Sequence, residues 1–190
     1  PVASNGRRAV LLGLNKASHF LVGIDIGASQ TRGVITNANN EIIQKSIHET
    51  PRSSDGPRFI EYLIDFIQGL IQQSHIDAKR VSGIMLAGSG AIDTAAGEAV
   101  FCCNVPAMKH LQLVKPLASH FGIPVELTTS SGMAAVAECE YARRTNNNLD
   151  ALIVSCAYGL GLVPVFGIKP NVDPRPKGRM DFGHIVYDKQ

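Results

Sequence analysis

The residues that decide the fold are 23–35, GIDIGASQTRGVI. An acid, Asp25, stands near the end of an apolar run, HFLVGIDI (19–26), which reads as a buried strand closed by Gly27. A short polar turn follows, Ala28-Ser29-Gln30-Thr31. Phosphate binding wants this chemistry, because glycine and small residues let backbone N–H groups approach an anion. Ser29 and Thr31 add hydroxyl donors, and Asp25 is placed to hold a metal through water. By itself the pattern D-x-G-x-S reads as an ordinary hairpin with a polar turn, so its surroundings decide.

Outward from this point, residues 32–36 and 41–48 alternate in character, with Asn37-Ala38-Asn39-Asn40 between them as turn chemistry. With 19–26 they predict a meander of three antiparallel strands. Phe59, Ile60, Leu63, Ile64, Ile67, Leu70 and Ile71 recur at helical spacing. Residues 81–86 read as a buried strand entering the turn Ala87-Gly88-Ser89-Gly90. A helix over 113–121 with Pro116 in its first turn, stopped by Gly122, precedes a strand at 125–128 and a helix at 133–144. Residues 152–156 predict another buried strand, and 163–168 and 184–187 two more. This order is mixed α/β and begins with a meander, unlike a doubly wound nucleotide fold, which alternates from the start.

Composition narrows the class. Of 190 residues, 45% are apolar and 18% charged, which allows a sizeable core and argues against disorder. A formal net charge of +2 gives no nucleic-acid surface. Cys102, Cys103, Cys139 and Cys156 form no C-x-x-C pair and read as reduced and buried, hence a cytoplasmic protein. No apolar run reaches membrane-spanning length. The chain begins at Pro1 rather than methionine, so a removed upstream segment is expected.

The opening stretch resembles the phosphate hairpin of the actin and sugar-kinase superfamily. Three further segments follow in the order of one branch, the ROK family of sugar kinases and sugar-responsive repressors. GIMLAGSGAID (83–93) is similar to that family's strand-and-turn segment, Asn104-Val105-Pro106 resembles its asparagine-leucine-proline, and GRMDFGHIVYD (178–188) resembles its glycine-glutamate-x-glycine-histidine segment. Gly6-Arg7-Arg8-Ala9-Val10 onward resembles the stretch that joins a winged helix-turn-helix to the sugar-binding body in ROK repressors. The resemblance implies an α/β, actin-like ATPase (sugar-kinase, ribonuclease H-like) fold. Residues 1–18 would be a linker from an absent DNA-binding domain, 19–128 a first lobe, and 129–190 the start of an incomplete second lobe.

It also implies where kinase chemistry would sit. A sugar kinase needs a carboxylate to take the proton of the attacking hydroxyl, and the family's aspartate position is Ser130 here. The polar residues beside it are Thr129 and Gly132, and the alanine-rich helix matches through Ala134, Ala135, Ala137 and Glu138. Serine cannot serve as a general base at neutral pH, though its hydroxyl can bond a sugar. The second phosphate turn keeps Gly159 and Gly161 but carries Tyr158, Val163 and Pro164 where slim residues are needed. Asp25, Gly27, Ser29, Thr31, Gly159 and Gly161 are thus expected to be a vestigial phosphate set. By the resemblance, Asn104, Thr129, Ser130, Asp181 and His184 would face a sugar or sugar phosphate. His184 could also ligate a structural zinc whose thiolate partners lie beyond Gln190. ATP-Mg would be a cofactor only of an active kinase.

The expectation is therefore the effector-binding part of a ROK-type regulator, with no catalytic residue retained. DNA would be bound through a domain outside this segment, no membrane is involved, and a homodimer is expected. An active ROK sugar kinase and a scaffold that binds no sugar are the rival readings.

Overall fold

The computed structural model describes residues 13, 15–53, 55–145, 150–157, 159–167 and 169–170. Strands β1 (Phe20–Ile26), β2 (Gln30–Asn37) and β3 (Ile42–Glu49) form the antiparallel meander. Helix α1 (Gly56–Gln73) follows, capped where Asp55 accepts the N–H of Arg58 at 3.1 Å, with Pro57 in its first turn. Strand β4 (Val81–Gly88) then leads into three short strands, β5 (Ala91–Asp93), β6 (Glu98–Phe101) and β7 (Leu111–Gln112), which make a small antiparallel sheet of their own. Helix α2 (Val114–Phe121) ends at Gly122, whose left-handed backbone (φ 67°) closes the last turn. Strand β8 (Val125–Thr129) runs directly into α3 (Ser130–Arg144), and β9 (Ala151–Cys156), β10 (Leu160–Phe166) and β11 (Lys169–Pro170) form a third sheet.

The main sheet has the order β3-β2-β1-β4-β8, with β1, β4 and β8 parallel to one another. Alternation divides its two faces. Phe20, Val22, Ile24 and Ile26 of β1 point to one face and are buried, with Ile35 of β2 beside Val22 in register. That face receives Phe59, Leu63, Phe66, Ile67 and Leu70 of α1 and Leu117 of α2, which together form the core. Gly23 and Asp25 point to the other face. Helix α3 packs mainly through Ala135 and Cys139 against Val163 and Val165 of the third sheet.

Four expectations need correction. Strands β5, β6 and β7 were not anticipated, because runs of two to four residues are too short to display a period. Helix α3 begins three residues before the predicted start, because Thr129 supplies its cap. Strand β9 is not buried on both faces: Leu152 is 54% and Val154 52% exposed, while Ile153 packs toward α3. Of the cysteines, all free, Cys102 and Cys139 are buried but Cys103 and Cys156 are exposed. The strand expected at 184–187, the turn at 146–148 and most of the linker at 1–18 lie outside the described residues. No helix among the described residues is long and apolar enough to cross a membrane.

Candidate functional site

The three parallel strands end level with one another. Ile26, Gly88 and Thr129 are register partners, so the residues that follow, Gly27, Ser89 and Ser130, open around one edge. The carboxyl edge of parallel strands is where open α/β sheets bind ligands, since the crossovers leave it uncovered.

The first wall is the turn from Gly27 to Gln30. The N–H of Gly27 donates to the carbonyl of Gln30 at 3.1 Å. A Cβ on Gly27 would lie 2.7 Å from that same oxygen, so glycine here answers a close approach of backbone to backbone. Beneath the turn, the Thr50 hydroxyl donates to the Gly27 carbonyl at 2.9 Å. With that proton committed, the Thr31 hydroxyl donates to Thr50, also at 2.9 Å. Thr31 is fully buried and pairs with Ile26, on the α1 side of the sheet. It therefore leaves the phosphate set: alternation turns it away from the face that carries Asp25, and its role is to brace the turn. Ser29 is exposed at the tip, with only its backbone carbonyl engaged, by the N–H of Thr50.

The second wall is the start of α3. Thr129 accepts the N–H of Gly132 at 3.1 Å, capping the helix. Ser131 directs its hydroxyl toward the same Thr129 oxygen at 3.4 Å. Ser130 reaches across to the first wall and donates to Asp25 Oδ1 at 2.7 Å, in a half-buried setting. This bond joins residues 105 apart in sequence, and it links β1 with the helix that leads to the third sheet.

Gly161, at the start of β10, closes the third side. A Cβ there would lie 2.7 Å from the Cβ of Ser131, so β10 rests directly on the first turn of α3. Gly159 sits in the exposed turn before it, its carbonyl accepting the N–H of Ala157. Asn104 is exposed in the loop after β6. Cys102, two residues earlier, packs its backbone against Gly90, the second residue after β4. Asp181 and His184 lie outside the described residues. Among the described residues no group of three His, Cys, Asp or Glu side chains is placed to hold a metal.

The site thus brings together Asp25, Gly27, Thr129, Ser130 and Gly161 from three stretches of sequence. Thr50 and Ser131 were missed. Nothing near Thr50 marks it as a brace for a turn over twenty residues upstream, whereas Ser131 was legible as a second hydroxyl beside Ser130. A polar concavity elsewhere, between Asn39 and Glu41 at the far end of β2 and Glu140, Arg143 and Arg144 of α3, is open and shallow. There Glu140 is held below the usual carboxylate range by its hydrogen bonds to Arg144 and Arg143.

A model of the ROK family matches residues 21–188. The chain belongs to the ROK family. It is 27% identical to the xylose repressor of Bacillus spizizenii over 85% of this chain and 41% of that protein, and 26% identical to the xylose repressor of Bacillus subtilis (strain 168) over the same shares. Among solved structures, a ROK family transcriptional regulator, a homolog of the E. coli MLC protein, superposes with TM-score 0.76 at 21% identity, over 98% of this chain and 46% of that one. A ROK family glucokinase from Streptomyces griseus, in complex with glucose and AMPPNP, gives TM-score 0.70 at 20% identity, over 89% and 51%. The fold is therefore the actin-like one shared by ROK kinases and regulators. The chain spans less than half the length of these curated relatives.

Proposed function

We propose that this chain is the effector-binding body of a sugar-responsive ROK transcriptional regulator whose kinase chemistry is lost. The observation that carries the reading is the Ser130–Asp25 hydrogen bond. A hydroxyl occupies the position that the family resemblance assigns to the general base, and its proton is directed to a carboxylate rather than its lone pair to a substrate. Without a base the transferring step loses roughly two to four orders of magnitude. The xylose repressors among its relatives support the same reading and make D-xylose the first sugar to test.

In this reading a sugar binds at the strand edge, against Asn104, Thr129 and Ser130, and the family resemblance adds Asp181 and His184 to its partners. DNA is bound by a part of the full-length protein outside this chain, as a homodimer in the cytoplasm, and a structural zinc at His184 belongs to that longer protein. The rival reading, an active sugar kinase using ATP-Mg, draws on Asp25 and Gly27, which lie at the right edge of the sheet, and on the Streptomyces griseus glucokinase fold. One experiment separates them. Full-length protein is given ATP-Mg and a panel of pentoses, hexoses and N-acyl hexosamines, and turnover and calorimetric binding are both measured. Sugar binding without turnover is expected; turnover near ordinary enzyme rates, about 10 per second, would establish the kinase instead.

A further inference from the structure

We propose that the outer edge of β3 is a contact surface for a second copy of this chain, paired strand to strand in antiparallel sense about a two-fold axis at Ile47; this names a surface for the homodimer of the reading above, and rests on it. Among the described residues β3 is the last strand of the main sheet and has β2 on one side only. Register tells which of its backbone groups face outward. The N–H of Thr50 donates to the carbonyl of Ser29 at 3.0 Å, which continues the β2–β3 pairing by one step. Along an antiparallel strand, residues that bond the neighbour alternate with residues that do not. His48 and Ser46 therefore bond β2, while Glu49, Ile47 and Lys45 turn their N–H and C=O groups to the open side. One contact agrees: the Glu49 carbonyl accepts the Tyr62 hydroxyl at 3.2 Å, and a carbonyl oxygen keeps a second lone pair.

The side chains of these three residues make the edge self-complementary. Ile47 is 58% exposed, and Lys45 and Glu49 stand exposed two residues to either side of it. All three lie on the sheet face that carries Asp25, since Ile47 pairs with Arg32 and Arg32 with Asp25. Among the described residues neither Lys45 nor Glu49 enters an ion pair. Rotation about Ile47 sets it against the partner's Ile47, and sets each Lys45 against the partner's Glu49. Apolar and opposite-charge pairs directly across two strands stabilise their pairing. On the other face Ser46 meets the partner's His48, and the β2–β3 ladder behind the edge is unbroken from Gln44 to Glu49. A lysine on a bare edge ordinarily discourages pairing. Here it selects a register. Sliding the partner by two residues either way takes both charges off their opposites, and sliding it by four sets like against like.

The test is disulfide capture in the full-length protein, with the exposed Cys103 and Cys156 changed to serine. Residues opposed in a hydrogen-bonded pair have Cα atoms about 5.5 Å apart, within reach of a disulfide. Under mild oxidation Ile47→Cys is expected to give a 47–47 linked peptide by mass spectrometry. It should form at least about tenfold faster than the corresponding link in Ile43→Cys, exposed on the same strand but held far from its own copy by this register. Lys45→Glu or Glu49→Lys, each added to the Ile47→Cys chain, should slow the link about tenfold. Mixing the two charge variants should restore it, because only the mixture opposes unlike charges. Sedimentation equilibrium of the parent protein gives its association state. A dimer whose 47–47 link forms no faster than that of Ile43→Cys overturns the inference and leaves the homodimer reading to another surface. Charge variants that link as fast as their parent, or a mixture that fails to restore the link, overturn it as well. A protein that sediments as a monomer at every concentration and gives no link sinks both.

Discussion

Threonines do different work on the two walls of the site. Thr31 and Thr50 form a relay under the first turn, ending on the Gly27 carbonyl, and Thr31 is shut off from solvent. Thr50→Val keeps the shape but takes the Thr50 hydroxyl away from the Gly27 carbonyl and from Thr31. It should cost about 1–3 kcal/mol in urea denaturation. Adding Thr31→Val should then cost less than it does in the wild type, because one of its partners is already gone. At the second wall Thr129 is a helix cap before it is anything else. Thr129→Ala should cost about 1 kcal/mol, whereas Thr129→Asn, with a side-chain oxygen of similar reach, should keep stability within a few tenths. Sugar affinity measured on the same two variants separates the cap from ligand contact: a contact role requires that asparagine change affinity while stability stays put.

Among the elements, α1 carries the largest share of the core. Leu63 is fully buried at its centre, flanked by Phe59, Phe66 and Ile67. Leu63→Ala should cost about 2–5 kcal/mol with an unchanged urea slope; a loss below 1 kcal/mol would mean that the site collapses around the gap. This helix was readable because its apolar positions hold period over four turns, and β1 because burial on one face and a tight turn at its end agree. The meander followed from the turn residues at 37–40. The small sheet of β5–β7 escaped, since strands that short are fixed by tertiary contact rather than by pattern. The exposure of Leu152 and Val154 was also illegible, because an apolar run says that a strand can be covered and not by what. At the site, the substitution at Ser130 could be read by position. Its bond to Asp25, and the withdrawal of Thr31 to the other face, required the register of β1, β2 and β8.

At the scale of the whole molecule, the distribution of charge bears on DNA. A protein that binds duplex without help needs free cations on one face and an element that enters a groove. The net charge is +2, and five of the described cations are engaged in ion pairs. Lys16 pairs with Glu41, Arg58 with Asp55, and Arg80 with Asp77 and the Ala17 carbonyl. Arg143 and Arg144, the densest basic pair on a helix, both close on Glu140. Each pair is exposed and weak in stability terms, but together they leave a mixed surface with little field to draw in a polyanion. Residues 1–190 alone should therefore show no sequence preference between operator-like and random duplexes in anisotropy titrations at physiological salt. Any weak binding should fall steeply as salt rises, the mark of phosphate contacts that do not discriminate bases. Nanomolar, sequence-dependent binding by this chain would place a groove-reading element within it and overturn the division of labour proposed between sugar body and DNA-binding part.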